Sequence, residues 1–185
     1  RRVGEIWEPL CKKCFDLPTR PDVAYYVPPL FDDVKRRLTQ EVGAFIRGLS
    51  LSDADKASLQ RYYDQVWQLV SSGEINLAAD LHVVAAGTRY VLDLKSGFGS
   101  NEKGNMNRLL LVASVYRNVE PEDYACLLLV RAPEDANNSY LRTLKASGLW
   151  SVLCADEAYD RIGALSGFDL RRWIQSNVEW ERDLD

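Results

Sequence analysis

The sequence predicts an α/β protein, a mixed β-sheet flanked by α-helices on both faces. Three observations lead there. Apolar residues recur at helical spacing through the first third of the chain. At residue 75 the pattern changes to β-rich runs, "INLAADLHVV" and "TRYVLDLKS", joined by "AAGT" in the manner of a hairpin. Beyond the hairpin, strand-like and helix-like stretches alternate, an order that puts helices over both sides of a mixed sheet. A chain of 185 residues suits one domain able to bury a substantial core.

Taken in order, residues 4–15 read as a short amphipathic helix. "DLPTRPDVAYYVPP" follows, and its four prolines between residues 18 and 29 exclude a long helix. Within it, "VAYYV" suits one short extended segment. From Pro29, residues Phe31, Val34, Leu38, Val42, Phe45 and Leu49 recur at helical spacing, with Pro29 fitting a first turn and Gly48 an end. Ser52 or Asp53 caps a second helix that carries Leu59, Tyr62, Val66 and Leu69 on one side and stops near residues 71–73. After the hairpin, "GNMNRLLLVASVYRNV" is helical and "YACLLLVRA" is an apolar run of the kind buried on both faces of a sheet. "ANNSYLRTLKASG" is a helix ending at Gly148, "LWSVLC" a short strand and "FDLRRWIQSNVEWERDL" a closing helix. The expected organisation is one domain over 1–185, with a helical part at 1–73, a sheet core at 75–154 and a C-terminal helix at 168–184. No internal repeat or low-complexity tract interrupts it.

Composition narrows the function. With 23 Lys and Arg against 27 Asp and Glu, the net charge of −4 argues against a protein that coats nucleic acid by bulk electrostatics. It leaves room for an enzyme that gathers acids around a metal and grips phosphates with a few local cations. No apolar run approaches the roughly 18 residues a membrane span needs. The chain opens on Arg1-Arg2 without Met, as a trimmed segment would, and nothing at that end resembles a signal peptide. Four cysteines are too few for a disulfide framework. Cys11 and Cys14 have half the spacing of a zinc knuckle, but no second such pair follows and His82 is the only histidine. Cys126 and Cys154 lie in apolar strand-like runs and are expected to pack. A reduced, cytoplasmic protein is the simplest reading. Neither a G-x-S-x-G elbow nor a P-loop is present, which removes support for a serine hydrolase or a nucleotide-binding reading.

The chemistry concentrates in "RYVLDLKSGFGS", residues 89–100. Strand alternation puts Asp93 and Lys95 on one face and Leu92 and Leu94 on the other. With a turn around Gly87, Asp80 on the first strand comes to the same end of the ladder as residues 93–95, roughly 5–8 Å away between Cβ atoms. Leu81, Val83 and Ala85 then share the reverse face, and Asp80, His82, Asp93 and Lys95 share a polar one. An acid-x-Lys triplet alone is cheap, about one or two being expected by chance in a chain of this composition. The other example here, residues 33–35, lies on a helix and reads as solvated surface.

Asp80, twelve intervening residues and then "DLK" resemble the PD-(D/E)XK phosphodiesterase superfamily, the catalytic core of many type II restriction endonucleases. The resemblance is carried by about residues 75–131 and is merely compatible with the rest of the chain, and Ala79 stands where the motif has proline. It implies a restriction-endonuclease-like sheet and Mg2+-dependent hydrolysis of DNA, with Mn2+ as a substitute ion. Asp80 and Asp93 would be metal ligands, Leu94 a carbonyl ligand, and Lys95 the group beside the attacking water. Double-stranded DNA is the expected partner, and a homodimer would supply two sites for two strands. The open alternatives are a structure-specific or RNA-directed nuclease of the same fold, and a non-catalytic nucleic-acid-binding domain.

Many members of that superfamily add an acid from an upstream helix. Glu41 sits on the apolar stripe, three residues after Leu38 and four before Phe45, where an acid is costly unless paired. A Glu reaching solvent from the edge of the stripe accounts for it as well, and Glu74 is the competing acid. His82 is expected to be a hydrogen-bonded structural residue. In "SGFGSNEKGNMNR", Lys103, Asn105, Asn107 and Arg108 suit contacts to phosphates or base edges, and Asn105 could also cap the next helix. The short basic clusters, Lys12-Lys13 among them, read as solvated helix faces.

Overall fold

The computed structural model describes residues 2–70, 72–99, 102–119 and 123–179. The chain divides into two compact units, a sheet unit of Arg1–Val27 with Ala78–Asp185 and a helical unit of Pro28–Leu77 inserted in it. Helix α1 (Arg2–Asp16) thus belongs with the sheet, not with the two helices that follow it.

The sheet unit has five strands in the order β1-β2-β3-β4-β5: Ala24–Tyr25, Leu81–Ala85, Thr88–Lys95, Tyr124–Val130 and Ser151–Cys154. The pairs β1/β2 and β2/β3 are antiparallel, and β3/β4 and β4/β5 parallel, so the sheet is mixed as expected. The hairpin between β2 and β3 turns on Ala86 (φ 49°) and Gly87 (φ 76°), two consecutive positive φ values that match the right-handed strand twist. That turn sets Leu81 opposite Leu92 and His82 opposite Val91.

Alternation then sorts the side chains. Leu81, Val83, Ala85, Leu92, Leu94, Leu127 and Leu129 pack on one face against Trp7, Cys11, Cys14 and Phe15 of α1. Two further helices cover the same face, α6 (Asp156–Ser166) through Ala158, Ile162 and Leu165, and α7 (Leu170–Asn177) through Leu170 and Ile174. Burial of the Trp7–Phe15 face holds α1 together despite the interior Pro9, which forfeits a hydrogen bond at a cost of about 3 kcal/mol. Helices α4 (Lys103–Asn118) and α5 (Ser139–Ala146) flank the sheet through β4 and β5, and Trp150 Nε1 donates to Leu109 O of α4 at 2.9 Å.

Several boundaries differ from the expected ones. Residues 75–79 are not strand, because their polar backbone groups go elsewhere: the Ala79 N–H is taken by His82 and the Ala78 carbonyl by Arg108. Asp80 therefore stands immediately before β2 rather than on it. The reading of "VAYYV" as extended holds for two residues only. Helix α6 has no counterpart in the sequence reading, although its C-terminal Gly167 adopts the left-handed conformation of a helix end (φ 81°). The closing helix ends at Asn177, and residues 180–185 lie outside the described residues.

The helical unit consists of α2 (Phe31–Gly48) and α3 (Asp53–Gln68), with Ser52 capping α3 by accepting the Asp55 N–H. Phe31 meets the Trp67 ring edge-on at 6.2 Å, and Lys35 Nζ lies 5.4 Å over the same ring. The α2 stripe is narrower than expected: Phe31, Val34, Gly43 and Ile46 are buried, and Phe45 is exposed.

Candidate functional site

The polar cluster forms where β3 outruns β2. The last β2/β3 pair is Leu81 with Leu92, so residues 93–95 continue beside β4 alone. In a strand, the N–H and C=O of one residue point to the same side. Lys95 O accepts from Arg131 N on the β4 side at 2.9 Å, so Leu94 presents its backbone groups to the side that β2 has vacated. There Asp80 Oδ2 accepts the Leu94 N–H at 2.7 Å, replacing the missing ladder bond. The Leu94 carbonyl accepts from Lys95 Nζ at 3.3 Å, outside any ladder.

Asp93 is the interior member. Its side chain is 1% exposed, and the pleat that anchors Leu92 and Leu94 in the core sends it to the opposite face. Two cations meet it: Lys95 Nζ at 2.6 Å from Oδ1, and Arg108 Nη2 at 2.8 Å from Oδ2. The Lys95 contact is short but off the direction of an aligned hydrogen bond, leaving buried Oδ1 with an ionic neighbour and an unfilled acceptor position. Burial pushes the Asp93 carboxyl above the ordinary carboxylate range, with Lys95 and Arg108 pulling against it. Desolvation of Lys95 favours its neutral form, but Asp93 and Asp80 outweigh that and hold the ammonium above the usual lysine range.

Asp80 joins the group through Lys95 Nζ, 3.8 Å from Oδ2, and through Lys12 Nζ, 3.6 Å from Oδ1. Its position depends on His82, which is buried on β2. Nε2 accepts the Ala79 N–H at 2.8 Å, so the neutral ring carries its proton on Nδ1, 3.3 Å from Tyr26 Oη. Tyr26 Oη in turn donates to Tyr90 O at 3.2 Å. Desolvation lowers the His82 pKa to about 4. His82 is the structural residue expected, and what it holds is the turn that aims Asp80.

Asp80, Asp93, Leu94 and Lys95 thus come together in one place. Arg108 joins them, bonded to Asp93, to the Ala78 carbonyl at 3.2 Å and to Asn105 Oδ1 at 3.2 Å, rather than standing in the loop as a separate nucleic-acid contact. Asn105 does not cap α4. The helix begins two residues earlier, and Asn105 bridges Glu102 and Arg108. Lys103 and Asn107 are exposed on the first turns of α4. The glycine stretch after β3 is anchored where it is described: Phe98 N–H is accepted by Asn137 Oδ1 at 2.7 Å, and Asn138 bonds both Phe98 O and Gly99 O. Residues 100 and 101 lie outside the described residues.

Glu41 belongs to the helical unit, where its carboxylate is 61% exposed and pairs with Arg37 at 3.6 Å. The burial argument for Glu41 as a metal ligand therefore fails, since solvent and Arg37 already satisfy it. Glu74 is likewise exposed in that unit, in a short 3-10 turn.

Lys12, read from the sequence as part of a solvated helix face, instead reaches Asp80. It lies 2.7 Å from Glu8 and at the edge of the stripe of Trp7, Cys11, Cys14 and Phe15, which turns it toward the sheet. The i, i+4 spacing from Glu8 and the neighbouring Cys11 were its only signals in the sequence. Cys11 and Cys14 themselves are free thiols in the core, raised in pKa by burial, and Cys14 Sγ donates to Leu10 O at 3.3 Å.

Among the described residues no group of three or more His, Cys, Asp or Glu could hold a metal ion. Mg2+ asks for less, commonly one or two carboxylates with waters and substrate oxygens. The open acceptor on Asp93 and the non-ladder carbonyl of Leu94 fit that demand beside Asp80. No helix among the described residues is long and apolar enough to cross a membrane. In comparisons with family models, curated proteins and solved structures, none matches this chain.

Proposed function

We propose that this protein is a restriction-endonuclease-like nuclease that hydrolyses phosphodiester bonds in double-stranded DNA with Mg2+, Mn2+ serving as a substitute. One observation carries the reading: the carboxylates of Asp80 and Asp93 and the backbone of Leu94 converge with Lys95 at the end of β3, a strand of a five-stranded mixed sheet. Asp80 and Asp93 would hold the ion, with the Leu94 carbonyl beside them. When bound, Mg2+ supplies an acidified water and offsets charge on the phosphate. Lys95 keeps its proton, held by both acids, and stabilises the pentavalent phosphate as charge builds there. Arg108 and Lys12 add cations that suit the flanking phosphates. A homodimer, to cut both strands, and a cytoplasmic location belong to the same proposal.

A second reading draws on the two cations already paired with Asp93: a non-catalytic nucleic-acid-binding domain in which the cluster is a structural ion network. Cleavage separates the two. Plasmid DNA with Mg2+ is expected to be cut, cutting to stop with EDTA, and Lys95→Ala and Asp93→Ala to lose at least about 100-fold in rate, on the scale of removing one group that stabilises the transition state. Variants that cut as well as the parent would sink the nuclease reading. A folded parent that cuts RNA or branched DNA alone would keep the fold and change the substrate.

A further inference from the structure

Arg108 is placed unlike a residue that waits for substrate. Its guanidinium spans three acceptors: Asp93 Oδ2 at 2.8 Å, the Ala78 carbonyl at 3.2 Å and Asn105 Oδ1 at 3.2 Å. Only Asp93 is an anion. Arg108 is 37% exposed while the carboxylate it holds is 1% exposed, so the guanidinium stands between a buried charge and solvent. Lys95 lies against the other oxygen of the same carboxylate at 2.6 Å. A divalent cation at Oδ1 must therefore enter beside Lys95, and one that takes Oδ2 or spans both oxygens must displace Arg108.

We propose that Arg108 is a displaceable counter-ion, competing with the divalent cation for Asp93 and, once released, taking a phosphate of the nucleic-acid backbone. This rests on the nuclease reading of the site. The fork of a guanidinium fits carboxylate and phosphate equally well, so one residue serves both in turn. With Asp93 neutralised by the ion, Arg108 keeps only neutral acceptors, and a partly desolvated guanidinium without a counter-charge favours an incoming anion. Ion binding and phosphate binding then strengthen each other, and by linkage each does so by the same factor. The arrangement lets the site assemble its phosphate contact only when the ion is present. Asn105 and Ala78 keep the guanidinium within reach of both positions.

The test is Mg2+ affinity by calorimetry for the parent, Arg108→Gln and Arg108→Lys, with circular dichroism confirming the fold. Removing the competitor is expected to tighten Mg2+ binding about tenfold or more in Arg108→Gln, the scale of one charge-assisted hydrogen bond. Arg108→Lys is expected to fall between the two, and it decides the matter if Arg108→Gln does not fold. A short DNA duplex with Ca2+, which takes the same oxygen donors, should gain more affinity from the ion in the parent than in Arg108→Gln. Equal or weaker Mg2+ binding in the variants overturns the inference while leaving the nuclease reading standing. Absence of Mg2+ binding to the folded parent overturns both.

Discussion

At His82, the packing around one imidazole decides where Asp80 points. Nε2 accepts the Ala79 N–H, and this bond exists only while the ring is neutral. Desolvation holds the folded pKa near 4, below the ordinary value of 6.5, so the unfolded chain takes up the proton first as pH falls. The stability that follows is fully present above pH 6.5 and is lost as pH falls from 6.5 toward 4. Allowing for some solvent access to the ring, the loss amounts to roughly 2 kcal/mol. Denaturant melts across that range should show it, and His82→Gln should flatten the slope between pH 6.5 and 5. An unchanged slope would mean that the imidazole is solvated rather than buried. The same residue-scale logic separates Asp93 from Glu41: both are acids near apolar positions, but only Asp93 is shut away from water, and so only Asp93 requires cations.

At the scale of elements, the β2/β3 hairpin is what makes a site from two distant acids. Its two-residue turn fixes a register that ends with Leu81 opposite Leu92, so that Asp80 and Asp93 are the next residues of the two chains at that end. A slip of one residue would send Asp93 into the core face and Leu92 or Leu94 into the site. The turn pays for this with Ala86 at φ 49°, a left-handed conformation unfavourable for any residue with a Cβ. Ala86→Gly is therefore expected to raise stability by about 0.5–1 kcal/mol without moving the register, measurable as a higher Tm. The N–H that Asp22 Oδ2 accepts at 3.0 Å is kept in that variant. A lower Tm would mean that the chain entropy glycine loses on folding outweighs the strain relieved at residue 86.

At the scale of the whole molecule, the sheet unit has its own core and carries the entire cluster, from Lys12 to Arg108. The helical unit leaves it at Val27 and returns at Ala78. These ends are near each other, because Tyr25 pairs with Val83 and the Tyr26 N–H reaches His82 O. Replacing residues 28–77 by a short Gly/Ser linker is expected to leave a protein with a cooperative thermal transition and intact helix and strand signals. A molten product, with secondary structure but no cooperative transition, would show that the sheet unit depends on the inserted helices.

The sequence by itself determined the α/β class, the strand hairpin and the meeting of Asp80, Asp93 and Lys95. All of these follow from local rules: a period of two along a strand, a tight turn, and an apolar face that must be buried. Helix α6 was legible in principle, since Ala158, Ile162 and Leu165 keep helical spacing before Gly167. Tertiary structure alone decided the rest. Residues 75–79 look like strand by composition, yet the His82 ring and Arg108 claim their backbone groups. Lys12 and Arg108 reach the acids from helices packed on the sheet, and no spacing in the sequence links positions 12, 80, 93 and 108. Exposure also decided between the two readings of Glu41, because whether an acid on a helix needs a partner depends on what covers it. Charge pairing is a matter of distance in space, and only the packed fold sets that distance.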